Sequence, residues 1–253
     1  MGNATKISTA DYTWNPWIGC NPVSEGCAHC YAAEMHRLKK WTADFRVVTK
    51  AKTTWKNPIK WQRDAAAVGE TRMVFCCSLS DFFHPTADQW RDEAWAVIKK
   101  TPSLVWRITT KRQERIAQCL PADWGDNGYP NIWLGTTVEM KRHLWRLDAI
   151  KGIPAAAHYL AAEPLLEDLM PDLAERISGI DWVVLGGETG NGHRHMDPQW
   201  ARNVRDLCND RGIAFWFLGK GGTHQKDTFL DGVQHTAFPA VLEPDSSRHA
   251  YSG

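Results

Sequence analysis

Seven short apolar runs, separated by stretches of helical periodicity, constrain this chain more than any other feature. The runs lie at 72–79, 104–109, 131–135, 158–162, 181–185 and 213–218, with a shorter one at 12–14. They are rich in Val, Ile, Phe and Trp. They lack a two-residue alternation, which is the pattern of parallel strands covered on both faces. Between them, 87–100 places Trp90, Ala94, Val97 and Ile98 on one helical face, and 139–150 groups Leu144, Leu147 and Ile150. Asp197 followed by Pro198 reads as a cap residue with proline at the first helical position. Trp200, Val204, Leu207 and Cys208 form the stripe of that helix, and Gly212 ends it. Helices are also expected over 55–68, after Pro58, and over 111–120. Strand and helix repeated in this way imply a parallel sheet.

With 253 residues, the chain has the length of a single barrel domain. The expected fold is α/β: a parallel (β/α) barrel, partial or nearly closed, forming one domain over 1–253. A cysteine-bearing loop is expected over 15–53 and an irregular C-terminal tail over 231–253. An open doubly wound sheet is the second choice.

Composition narrows the function classes. Hydrophobic residues make up 43% and charged residues 23%, as in ordinary globular chains. A net charge of +1 lacks the basic footprint of proteins that grip duplex DNA, although a local patch remains compatible with it. The 14 tryptophans are read mainly as core, including Trp95, Trp106, Trp133, Trp145, Trp182 and Trp200; a few can stack on a nucleobase. The first eleven residues are polar and carry no apolar signal region, and no apolar run spans a membrane. A cytoplasmic location with no membrane partner is therefore expected, where thiols stay reduced. In that setting seven cysteines argue for metal binding or burial. Cys76, Cys77, Cys119 and Cys208 lie in apolar periodic segments and read as buried.

The other three, Cys20, Cys27 and Cys30, have the spacing C-x6-C-x2-C. Three thiolates hold three irons of a cubane cluster and leave the fourth open, whereas structural zinc normally takes four protein ligands. The triplet thus points to a site with an open coordination position. A Cys3His zinc site completed by His29 or His36 is the competing reading; a non-catalytic nucleic-acid-binding protein is another.

Polar residues follow nearly every expected strand. Ser78, Ser80 and Asp81 follow the second; Thr110, Lys111 and Arg112 the third; Thr136, Thr137 and Glu139 the fourth. Glu163-Pro164 follows the fifth, Gly186-Gly187-Glu188 the sixth and Lys220 the seventh. In a barrel these gather on the face where such enzymes place their active sites.

Taken in order, several of these segments resemble the phage Gp37/Gp68-type proteins, a radical S-adenosylmethionine-like family. The matching pieces are Thr13-Trp14-Asn15-Pro16 leading to Cys20, Cys27-x-x-Cys30-Tyr31, Ser80-Asp81-Phe82-Phe83-His84, Thr109-Thr110-Lys111-Arg112, Trp133 to Glu139, Glu163-Pro164-Leu165-Leu166 and Gly186 to Gly190. The resemblance implies a radical-SAM-like barrel. It implies a [4Fe-4S] cluster on Cys20, Cys27 and Cys30, with S-adenosylmethionine on the open iron, cleaved reductively to a 5′-deoxyadenosyl radical. It further implies a reductant such as flavodoxin or ferredoxin. The substrate is left open, a nucleic-acid base or nucleotide being one option. On this resemblance Tyr31, Ser78, Ser80, Asp81, Thr110, Lys111 and Glu163 are the candidates for holding the cofactor, and Glu188 and Lys220 for acting on substrate. The chain departs from the usual pattern in four places. The first cysteine gap is six residues rather than three, His29 stands before the last cysteine where an aromatic residue is usual, Gly-Gly-Glu follows the sixth strand rather than the second, and Leu218-Gly219-Lys220-Gly221 stands where family members tend to have Lys-Gln-Trp-Gly.

Overall fold

The structure is a computed structural model; it describes residues 5–223 and 227–240. In chain order the strands are β1 Tyr12–Trp14, β2 Trp17–Ile18, β3 Thr49–Lys50, β4 Arg72–Cys76, β5 Leu104–Thr110, β6 Ile132–Thr137, β7 Ala157–Ala162, β8 Trp182–Gly186, β9 Ala214–Gly219, β10 Phe229–Leu230 and β11 Val233–Gln234. The α-helices are α1 Tyr31–Lys39, α2 Asn57–Ala67, α3 Asp88–Lys99, α4 Trp145–Lys151, α5 Asp172–Arg176 and α6 Pro198–Arg211.

Seven strands form one parallel sheet in the order β1-β4-β5-β6-β7-β8-β9. The order follows the sequence and never reverses, which sets aside a doubly wound sheet, whose order switches direction. β1 and β9 remain edges, so the sheet is a curled half-barrel and not a closed one.

Alternate residues of each strand face opposite sides. Leu104, Trp106 and Ile108 of β5 join the core under the helices, together with Ala94 and Ile98 of α3 and Leu147 and Ile150 of α4. Val105 faces the other side, with Trp133, Tyr159, Trp182 and Trp216. Both faces are therefore apolar, which explains the continuous apolar runs. The concave face is filled at one end by these aromatic rings, and Phe238 closes that end by packing on Trp182 and Trp216.

Asp197 caps α6 as expected, its carboxylate accepting from Gln199 N. Four expectations need correction. Residues 111–120 form two short 3-10 turns, Gln113–Arg115 and Ala117–Cys119, because the buried Gln113 side chain donates to Thr110 O and interrupts a continuous helix. The loop over 15–53 carries α1 and a two-stranded ribbon of β2 and β3. The tail from residue 231 is ordered locally by the β10–β11 hairpin; its part beyond residue 240 lies outside the described residues. Trp145 is 47% exposed, on the solvent side of α4. The other five tryptophans expected in the core are buried or packed against it. Among the described residues no helix is long and apolar enough to cross a membrane.

Candidate functional site

The C-terminal ends of the parallel strands open into a cavity of about 570 Å³, within the usual range of ligand pockets. The cysteine loop forms one wall and the strand-end residues form the rest. Of the residues singled out from sequence, Cys20, Cys27, Cys30, Tyr31, Ser78, Ser80, Asp81, Thr110, Lys111, Glu163 and Glu188 all line it. Lys220 does not. Its ammonium pairs with Asp227 at 2.7 Å, on the exposed side of the Gly219–Gly222 loop.

The cysteine loop is seated by charge. Glu139, fully buried, receives Arg146 Nη1 at 2.8 Å, Lys111 Nζ at 3.1 Å and the Ser24 hydroxyl. Burial pushes its carboxyl up, but Lys111, Ser24 and Arg146 outweigh that and hold it below the usual range. A Cβ on Gly26 would stand 2.6 Å from Glu139 Cγ and Oε1, so only glycine lets the loop descend onto this carboxylate. Glu25, at the start of the same turn, pairs with His143 at 2.9 Å and Arg142 at 2.5 Å. Its carbonyl accepts from Arg194, which also clamps Glu188 through Nε and its backbone N, each at 2.9 Å. Burial raises the Glu188 carboxyl, and the bonds and charge of Arg194 bring it below its ordinary value.

The three thiols are free. Cys27 Sγ lies 3.9 Å from Lys111 Nζ. Burial pushes this thiol up, but the ammonium and hydrogen bonds from Val23 and Ser24 leave it below its ordinary value. Cys20 is pushed up to about 12 by burial, with Asp81 adding to the effect and Arg112 opposing it. As they stand, no three His, Cys, Asp or Glu side chains among the described residues are arranged to hold a metal ion. The donor set nevertheless fits an iron–sulfur cluster chemically. Three free thiols share one cavity wall, and Cys20 lies within the electrostatic reach of both Cys27 and Cys30. His36 Nε2 is engaged by Thr42, 2.7 Å from its Oγ1 and 3.2 Å from its backbone N, whereas His29, the other histidine of the Cys3His alternative, lines the cavity. Cys76, Cys77, Cys119 and Cys208 are buried, and of these Cys77 lines the same cavity as the triplet.

Several candidates serve the scaffold as well as the cavity. Asp81 accepts from Thr110 Oγ1 at 2.8 Å, Phe83 N at 2.9 Å and Lys111 N at 3.1 Å. Ser80 Oγ donates to Gly19 O, and Tyr31 OH donates to Ser78 O, so both lock the cysteine loop to the end of β4. Asn15 completes this lock by accepting from Leu79 N at 2.8 Å. Glu163 makes no ion pair or side-chain hydrogen bond among the described residues. Its side chain is exposed where it opens to the cavity, and desolvation by the surrounding walls raises its carboxyl above the ordinary value against the opposing charges of Arg107 and Lys111. Sequence reasoning missed Arg107, in the middle of β5, and the segment Lys6–Thr9, which lines the same cavity. The one signal was a single charged residue inside an otherwise apolar run.

Residues 4–243 match a family model described as "Protein of unknown function (DUF5131)". The chain belongs to this DUF5131 family. No curated protein and no solved structure matches it. The DUF5131 match spans the cysteine loop, all seven strands of the half-barrel and the hairpin that follows β9. The cavity is thus built entirely from the part of the chain that defines family membership.

Proposed function

We propose that this chain is a radical-SAM-like iron–sulfur enzyme that cleaves S-adenosylmethionine reductively. The observation that carries this reading is the placement of all three thiols of the C-x6-C-x2-C run on the wall of one cavity, at the C-terminal ends of a parallel half-barrel. Enzymes built on such sheets work at that end.

A cluster bound there would supply a low-potential electron to the cofactor. The chain's own residues have separate tasks. Cys20, Cys27 and Cys30 would hold the irons. Lys111 favours the thiolate of Cys27, the form that ligates metal. Glu139 and Arg146 fix the loop height. Ser78, Glu163 and Lys111 present a hydroxyl, a carboxyl and an ammonium to the cofactor's polar groups, while Asp81 and Thr110 hold the strand ends in place. Glu188 faces the substrate side, oriented by Arg194. Lys220 receives no role in the cavity. The electron donor is proposed to be a small carrier of the flavodoxin or ferredoxin type, and the cellular setting cytoplasmic.

The test is anaerobic purification and reconstitution, followed by iron and sulfide analysis. Wild type is expected to be brown and to turn S-adenosylmethionine into 5′-deoxyadenosine when reduced. Cys27→Ala is expected to lose the iron, while Cys76→Ala and Cys119→Ala retain it. A colourless wild type with no bound iron after reconstitution rejects the reading.

A further inference from the structure

Four arginines are buried among the described residues: Arg91, Arg107, Arg112 and Arg146. Two have a carboxylate at hand, Asp88 at 2.5 Å from Arg91 and Glu139 at 2.8 Å from Arg146. The other two, Arg107 and Arg112, line the cavity and have no ion-pair partner within 4 Å among the described residues. Each leaves its Nε buried without an acceptor, as Arg146 also does, but Arg146 has Glu139 to balance its charge. A guanidinium held out of water without a counter-ion is costly, and buried arginines are rare unless paired.

Arg107 is the more distinctive of the two. It is 3% exposed and sits in mid-strand, three residues below Thr110, on the concave face of the sheet. Nη1 donates to Thr9, to both its carbonyl and its hydroxyl. The guanidinium lies 4.3 Å from the Phe75 ring centroid and 5.5 Å from those of Tyr159 and Trp182. These rings fix its orientation without neutralising it. Tyr159 reaches the adjacent Thr109 hydroxyl because Gly135, opposite it, has no Cβ; one built there would stand 2.2 Å from the Tyr159 ring. Arg112, by contrast, is spent on the cysteine loop, its Nη2 donating to Asn21 O at 3.0 Å.

The charge balance of the walls points the same way. Lys111 is paired with Glu139, and Glu188 with Arg194. That leaves three lining cations, Lys6, Arg107 and Arg112, against two carboxyls, Asp81 and Glu163. Asp81 is occupied by Thr110, Phe83 and Lys111. Glu163 stands beyond ion-pair distance of Arg107 and so does not cancel its charge by contact.

We infer that Arg107 anchors an oxyanion subsite on the floor of the cavity, which takes the phosphate or carboxylate of an organic ligand of about nucleotide size. Nη1 is committed to Thr9 and Nε is buried, so an anion would meet the remaining edge of the guanidinium, whose delocalised, unneutralised charge suits either group. A cavity of about 570 Å³ has room for a ring system above the anion. The inference rests on Arg107 and its surroundings and not on the iron–sulfur reading. It is therefore tested on the full chain without a cluster.

The experiment is calorimetric titration with adenosine 5′-monophosphate, adenosine, inorganic phosphate and benzoate, for wild type, Arg107→Met, Arg107→Lys and Glu163→Gln. Wild type is expected to bind the monophosphate or benzoate at least ten-fold more tightly than adenosine; whichever anion wins names the class. Arg107→Met is expected to erase that preference, a loss of about ten-fold or more. Arg107→Lys, which keeps the charge but not the fork, is expected to fall between. Glu163→Gln removes a competing carboxyl from an open position, where it cannot unfold the protein by breaking a bond, and is expected to tighten the anion several-fold. It thus reports even if Arg107→Met fails to fold. Anion affinities that do not exceed that of adenosine, or that are the same in wild type and all three variants, overturn the inference.

Discussion

The carboxylate of Glu139 occupies the space in which residue 26 would carry a side chain, and Gly26 lies against it with 2.6 Å between a hypothetical Cβ and Glu139 Cγ. Glu139 is not free to retreat, because Arg146, Lys111 and Ser24 all hold it. The turn that carries Cys27 therefore rests on a buried charge network rooted in the loop after β6. This couples the height of the cysteine wall to a residue 115 positions from Ser24 along the chain.

Gly26→Ala is expected to lower stability by about 1–3 kcal/mol, the usual cost of forcing extra volume into a packed site. Shortening the carboxylate with Glu139→Asp should relieve part of the clash. In urea unfolding the double variant is expected to be more stable than the sum of the two single losses predicts, since residues in contact couple. Strict additivity would show that the turn does not rest on Glu139.

Glu139→Gln leaves Arg146 and Lys111 in a buried site without their anion. A loss of about 3–5 kcal/mol is expected at neutral pH. The folded carboxyl titrates below its ordinary value. Its contribution is therefore fully present above the ordinary glutamate range and is lost as pH falls through the folded value. The stability gap between wild type and Glu139→Gln should be widest above about pH 5 and shrink in more acid solution. Urea unfolding of both proteins across this range measures it; a gap independent of pH would mean that the negative charge is not what holds the loop.

Asp81→Ala removes the shared acceptor of Thr110 Oγ1, Phe83 N and Lys111 N. With buried donors left unmet at about 1–3 kcal/mol each, partly re-satisfied by water, a total loss of about 3 kcal/mol is expected. If Asp81 mainly served a ligand, the variant would instead unfold like wild type and lose only binding. Chemical unfolding and calorimetry on the same sample separate the two.

The sheet was legible because parallel strands buried on both faces leave continuous apolar runs. The expected strand at 104–109 and the observed Leu104–Thr110 differ by one residue. The gathering of Ser78, Asp81, Thr110, Lys111, Glu163 and Glu188 around one cavity was legible for a related reason: a polar residue directly after an apolar strand has one face on which to lie. Helix α1 was hidden because only Ala32 and His36 of its nine residues are buried, too few to make an apolar stripe. Arg107 was hidden because its partner Thr9 is 98 residues away, and no local pattern announces that contact. Lys220 lies outside the cavity lining because Asp227, seven residues on, draws its ammonium to the outside of the loop.

The clearest contrast within the cysteine wall is between Cys27 and Cys20. The Lys111 ammonium, 3.9 Å from Cys27 Sγ, helps to bring that thiol below its ordinary value despite burial, whereas Cys20 is pushed up to about 12. The thiolate is the nucleophile, so reactivity follows the ionised fraction. In reduced, chelator-treated protein at neutral pH, iodoacetamide should alkylate Cys27 well before Cys20, as read by peptide mass spectrometry. Lys111→Met removes the ammonium and leaves burial dominant. The rate–pH profile of Cys27 should then move to higher pH, while Cys20, whose shift comes first from burial and then from Asp81, keeps its profile. A Cys27 profile unchanged in Lys111→Met would mean that the backbone and hydroxyl of Ser24, and not the lysine, set its ionisation.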